Sequence, residues 1–164
     1  MASLTLYDIM YSEYLVPALA GMTAFIIFFL SFLKNAAKRA KRRKYLRSPL
    51  SKIDHMKGEE FEQFLAAYFE SLGYKVKTTA GSGDFGADLI IKKGGVRTVV
   101  QAKRYKNHVG VAAVQQAISA MAYYHAQHCM VATNSYFTAA AKKLARETGV
   151  ELWDRTSLLN MKSR

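Results

Sequence analysis

The chain has 164 residues, with 24 Lys or Arg against 12 Asp or Glu and a formal net charge of +12. That length holds one ordinary domain plus an appendage and excludes two independent catalytic domains, because a single core needs on the order of 100 residues. The positive surplus attracts polyanions such as nucleic acid or anionic lipid, while a lone cysteine, Cys129, excludes an intrachain disulfide and a Cys-based zinc site.

Residues 1–13 contain Asp8 and Glu13 and neither Lys nor Arg. They therefore lack the basic n-region of a cleaved signal peptide and are expected to form a short extracytoplasmic N-terminus. Residues 14–33, YLVPALAGMTAFIIFFLSFL, carry no formal charge. As a helix rising about 1.5 Å per residue they span about 30 Å, the thickness of a bilayer core, and a single transmembrane helix is expected there.

Residues 34–56 are expected to form a basic juxtamembrane linker, broken at Ser48-Pro49, where the residue before a proline is biased away from helix. Lys34, Lys38, Arg39, Lys41, Arg42, Arg43, Lys44 and Arg47 crowd its first part without a negative partner. By the positive-inside bias they retain this flank in the cytoplasm, which puts the following domain on the cytoplasmic side of an inner membrane. The cluster also suits anionic lipid headgroups, each basic side chain near the surface contributing about 1 kcal/mol.

Residues 57–164 form the expected domain. Phe61, Phe64, Leu65, Tyr68, Phe69 and Leu72 recur at helical spacing over residues 58–72, and Gly73 is placed to cap them. Strands are predicted over 74–79, 87–93 and 96–104, the last two joined at Gly94-Gly95 as a hairpin. A helix over 109–126 carries Val111, Val114, Ile118, Met121 and Ala122 on one side. A buried strand over 128–133, a helix over 138–148 with Thr138 as N-cap and Gly149 as its stop, and a last strand over 150–153 complete the order αβββαβαβ. Strands separated by helices pair in parallel and the hairpin pairs antiparallel, so the fold class is α/β with a mixed sheet flanked by helices.

Asp88 stands at the start of the second strand, and Gln101 and Lys103, two apart on the third, share a face. Hairpin register brings all three to the end away from the turn. A carboxylate beside an amide and a lysine suits phosphodiester hydrolysis: oxygen ligands hold a hard divalent ion, and the lysine orients water or stabilises developing charge. On spacing alone, strands with one Asp and one Lys are common, and a solvated strand face is the favoured explanation. Asp84, in SGDFG, is either a turn residue or part of a loop folding over the site. Arg104, Tyr105, Lys106 and His108 follow the third strand and are candidates for phosphate contacts.

The blocks GEEFEQFLAAYFESLGYKV, GSGDFGADLIIKKGG, VVQAKRYKNHVGVAAVQQ, VATNSYFTAAAKKLA and VELWDRTSL resemble, in order, those of the Mrr-like catalytic domain of the PD-(D/E)XK nuclease superfamily. The resemblance implies a restriction-endonuclease-like αβββαβ core and places the motif aspartate on Asp88, the Gln-x-Lys pair on Gln101 and Lys103, and the first-helix glutamate on Glu62. It implies Mg²⁺, or Mn²⁺, held by Asp88, Gln101 and Glu62, and DNA as partner, contacted by Arg104, Tyr105, Lys106 and the Asp84 loop. Where the superfamily usually carries an acid, Gln101 brings a carbonyl and no charge. The resemblance covers about residues 57–159 and excludes the apolar segment; taken with the anchor expected over residues 14–33, the implied activity is a membrane-anchored DNA endonuclease acting in defence against foreign DNA, in a homo-dimer or larger complex. The alternative is a nucleic-acid-binding membrane tether or accessory subunit with weak or no catalysis.

Overall fold

A computed structural model describes residues 14–47, 49–79 and 85–162. The chain divides into two compact units, residues 1–41 and 42–164. Helix α1 runs Val16–Leu46. Its segment Val16–Ala37 is long and apolar enough to cross a membrane, and Phe25, Ile27 and Phe28 are each about two-thirds exposed.

In the second unit a helical turn, α2 (Leu50–Ile53), precedes α3 (Gly58–Ser71). Within the residues read as a linker, α1 continues to Leu46, and Ile53 and Met56 are buried in the core of the second unit. Two apolar side chains three residues apart suffice to dock a single turn, and that is too short a pattern to stand out in the sequence.

Helix α3 buries Phe61, Phe64, Leu65 and Phe69, each contributing about 1.5–3 kcal/mol by leaving water. The Glu60 carboxylate accepts from the Lys57 backbone N–H at its start. Gly73, at φ +84°, ends it as expected, with Gly73 N–H reaching Glu70 O and Tyr74 N–H reaching Phe69 O.

The sheet comprises β1 (Lys75–Thr78), β2 (Leu89–Lys93), β3 (Val96–Lys103), β4 (His128–Thr133) and β5 (Glu151–Trp153), adjacent in that order. β1, β2 and β3 pair antiparallel, and β3, β4 and β5 pair parallel. Gly94 and Gly95 both take positive φ, as the tight turn between β2 and β3 requires. Helices α4 (Val111–Tyr123) and α5 (Ala139–Thr148) make the two parallel crossovers. Because both crossovers advance the same way across the sheet, a common handedness puts both helices on one face.

Two cores result. α3 packs over Leu89, Ile91, Val100, Met130 and Ala132 on one face. On the other, α4 and α5 pack over Val99, Cys129 and Val131. The buried stripe of α4 is Ala113, Val114, Ala117 and Ala120, whereas Val111 is 37% exposed. Val114 is buried as expected, while small residues fill the rest of the stripe and let the helix approach closely, so Ile118 and Met121 are only partly buried and Val111 and Ala122 are exposed. Thr138 Oγ1 accepts from Ala141 N–H and caps α5. A further helix, α6 (Arg155–Lys162), follows β5 and buries Leu158 against the α3 core.

Candidate functional site

Register builds the centre of the site. Leu89 pairs with Val100, so Asp88, just before β2, stands opposite Gln101, and its N–H donates to Val100 O at 3.0 Å. Asp88 Oδ2 accepts from the Ala102 N–H at 2.6 Å and from Gln101 Nε2. The segment ahead of Asp88 is tied to the end of β1, where Thr79 N–H and Thr79 Oγ1 both reach Asp88 O at 3.1 Å and Thr79 Oγ1 also donates to Ala87 O.

Gln101 is 3% exposed. Its Oε1 is buried and has no hydrogen-bond partner, which is a costly arrangement for an amide oxygen. Oε1 lies against Gly86, whose φ is +92°: a Cβ there would meet Gln101 Oε1 at 3.0 Å and Gln116 Cβ at 2.7 Å. Only glycine fits between β3 and α4. Lys103 lies two residues beyond Gln101 on the same side of β3, opposite Thr133 of β4, and is half-buried.

Asp88 and Gln101 are therefore in direct contact, with Lys103 on the same strand face. Glu62 is half-buried and engaged on α3, which belongs to the layer across the sheet from α4. Asp84 lies outside the described residues. Among the described residues no three His, Cys, Asp or Glu side chains cluster as a metal site. The donors that fit a divalent ion are the Asp88 carboxylate and the unpartnered Gln101 carbonyl, both the hard oxygens that Mg²⁺ or Mn²⁺ takes.

Beyond the C-terminal ends of β3 and β4, the end at which Asp88 and Lys103 stand, an open cleft of about 950 Å³ is lined by Tyr105, Lys106, His108, Tyr136 and Arg155 among others. A crevice outside the carboxyl ends of parallel strands is the usual ligand position in α/β sheets. Tyr105 is 52% exposed, and its N–H donates to Asn134 Oδ1 at 2.8 Å. Arg104 does not line the cleft: it is half-buried and its Nε has no partner.

One wall of the cleft is a polar network invisible to sequence periodicity. Arg155 holds Asp54 through two bonds of 2.6 and 2.8 Å, Asn134 Nδ2 donates to Asp54 Oδ1 at 3.1 Å, and Arg155 N–H donates to Ser135 O at 2.8 Å. The Arg155 guanidinium, assisted by Asn134, holds the Asp54 carboxyl below its ordinary range against the opposing effect of burial. Asn134 thereby joins the residues after α2, the loop after β3 and the start of α6.

A family profile, Mrr_cat: Restriction endonuclease, matches residues 53–162. No curated protein sequence matches. Among solved structures, the DNA modification-dependent restriction endonuclease AspBHI is similar with a TM-score of 0.58 and 22% identity over 76% of this chain and 35% of its own. A protein of unknown function, AF1548, has a TM-score of 0.50 and 19% identity over 57% of this chain and 55% of its own. MspJI, solved in complex with a 27-mer oligonucleotide, has a TM-score of 0.46 and 19% identity over 77% and 30%. At these identities the likeness is one of fold, and the chain spans only about a third to a half of those proteins' lengths.

Proposed function

Since this chain belongs to the Mrr_cat restriction endonuclease family, we propose that its domain hydrolyses DNA phosphodiester bonds with Mg²⁺ or Mn²⁺, held at the cytoplasmic face of a membrane by the apolar part of α1. The observation that carries this reading is the Asp88–Gln101 pair, a fixed carboxylate beside a buried carbonyl without a partner, with Lys103 on the same strand face. A bound divalent ion would polarise a phosphoryl oxygen and lower the pKa of its water. Asp88 and Gln101 would hold it, with Glu62 as a further ligand on the family pattern. Lys103 supplies positive charge where the phosphate becomes more negative and orients the attacking water.

Tyr105 and Lys106, which follow Lys103 in the chain and line the cleft, contact the phosphate backbone, as does the Asp84 segment. The half-buried Arg104 adds positive charge to the same stretch, and the basic part of α1 meets anionic headgroups. A position at the inner face of a membrane suits an enzyme that meets foreign DNA on arrival, and cutting both strands calls for two copies of the single site.

Plasmid DNA incubated with the full chain in detergent tests this. Wild type is expected to nick or linearise it with Mg²⁺ or Mn²⁺, and Asp88→Asn and Lys103→Ala to lose about 100-fold or more. Undiminished cleavage in both variants overturns the assignment. The neutral Gln101 and the absence of a three-ligand cluster among the described residues favour a second reading, a tether that binds DNA without cutting it. Salt-sensitive binding with no scission in either metal would select that reading.

A further inference from the structure

The three antiparallel strands are covered unequally. α3 packs on one face of β1 and β2, whereas α4 packs on β3 and β4. On the side away from α3, Lys75, Lys77 and Lys92 are exposed, and with Arg97, Ile90 and Tyr124 they line an open groove of about 380 Å³ with no acidic residue in its lining among the described residues.

The arrangement of these cations is unfavourable by itself. Lys75 pairs with Lys92, and Lys92 pairs with Arg97, so three positive side chains stand directly opposite one another across adjacent strands, where like charges destabilise. Arg97 is held in place: Nη1 donates to Tyr124 O at 2.6 Å, at the C-terminus of α4. Lys75, Lys77 and Lys92 have no ion-pair partner among the described residues. A row of mutually repelling cations that the described residues leave unneutralised becomes favourable once a polyanion lies across it.

Nucleic acid fits better than a lipid surface. Tyr124 borders the groove and meets Tyr123 edge-on at 4.9 Å, and Tyr123 lies 4.1 Å from Phe85. Phe85 and Tyr123 are both more than half exposed, and Phe85 is a non-glycine residue at φ +52°. Basic side chains suit a phosphate backbone, and the exposed aromatic rings beside them offer a stacking surface to bases wherever a strand is unpaired. The period of two puts Arg97 on the same side of β3 as Gln101 and Lys103, and Lys92 on the same side of β2 as Asp88. Four residues of strand separate Arg97 from Gln101, about 13 Å at about 3.3 Å per residue. A duplex lying along the hairpin presents about four phosphates of one strand over that distance.

We propose that the face carrying Lys75, Lys77, Lys92 and Arg97 is a nucleic-acid backbone surface that holds DNA leading to or from the Asp88–Gln101 site. The choice of DNA rests on the nuclease reading; the phosphate-binding surface is independent of cutting. Duplex affinity of the full chain in detergent, measured by fluorescence anisotropy in EDTA across a salt series, tests it with the triple variant Lys75→Gln, Lys77→Gln, Lys92→Gln. The basic part of α1 is common to both proteins, so the difference belongs to the groove. The slope of log affinity against log salt is expected to shrink by about 2–3, at roughly 0.9 per phosphate contact, with at least about a tenfold loss of affinity at low salt. The thermal midpoint is expected to hold or rise, because cross-strand repulsion is removed.

Unchanged affinity and slope overturn the proposal. So does unchanged DNA affinity with reduced binding to phosphatidylserine vesicles, which would assign the face to lipid. Cleavage assays of the same proteins separate this from the nuclease reading. DNA binding lost in the triple variant while wild type cuts nothing leaves the surface standing without catalysis, and cleavage with unaltered binding does the reverse.

Discussion

Gln101 turns its amide nitrogen to the Asp88 carboxylate and leaves Oε1 buried without a partner. A metal-binding acid at this position would repel Asp88, and the neutral amide instead satisfies it. The Gln101→Glu variant should therefore lose a hydrogen bond to a charged group and gain repulsion, costing about 1–3 kcal/mol without metal. Mn²⁺ should recover more in the variant than in wild type, because two carboxylates attract the ion more strongly than one. Thermal midpoints in EDTA and across a Mn²⁺ titration read both effects. Equal metal responses would separate this pair from ion binding.

Gly86 sits where neither backbone nor space admits a side chain. Gly86→Ala combines a positive φ with a Cβ only 2.7 Å from Gln116 Cβ, and an overpacking cost plus left-handed strain amounts to about 2–4 kcal/mol. The clash is with Gln116 Cβ, which alanine keeps, so Gln116→Ala in the same chain should give no rescue. Denaturant midpoints of the single and double variants check this, and full recovery in the double would show that the neighbour's outer side chain was the obstacle.

Much of this centre was legible in the sequence, for physical reasons. Alternation along residues 87–93 and 96–103 together with the Gly94-Gly95 turn fixes the register that brings Asp88 to Gln101. The helical spacing of α3 fixes its buried face. Contacts between residues far apart in sequence carry no local pattern: Arg155 and Asp54 are 101 positions apart, and nothing near either announces the other. Helix α6 escaped notice because its sequence, RTSLLNMK, has too short an apolar pattern to give a period. The Asp154 carboxylate accepting from Ser157 N–H was the available cue to its start. The basic face of β1 and β2 was hidden because Lys75, Lys77 and Lys92 read individually as solvated strand residues, and only the pairing lines them up.

The Asp54–Arg155 pair makes stability depend on acid. The folded state holds the Asp54 pKa below its ordinary value of 3.8. Its contribution is therefore complete above that value and is lost as pH falls through it toward the lowered folded pKa. Asp54→Asn should flatten this part of the thermal midpoint against pH and leave the neutral range parallel to wild type. At neutral pH, Asp54→Ala is expected to cost about 1–3 kcal/mol, kept modest by the one-third exposure of both side chains. An acid limb identical in wild type and Asp54→Asn would assign the loss to other carboxylates.

Topology can be read chemically because the native thiol is silent. Cys129 is 2% exposed and burial raises its pKa, so little of it is the reactive thiolate. Ser51→Cys and Ser3→Cys then report opposite flanks of the apolar part of α1 to a membrane-impermeant maleimide. Residue 3 should label in cells with a permeabilised outer envelope and residue 51 only after the membrane itself is breached, as the run of cations after residue 33 requires. Replacing Ile26 and Phe29 by Lys and Asp, near the middle of the span, costs roughly 2.5–3.5 kcal/mol per charge on insertion and should move the chain from the alkali-washed membrane pellet to the soluble or aggregated fraction. Labelling of residue 51 in cells whose inner membrane is intact would reverse the orientation and remove the domain from cytoplasmic DNA.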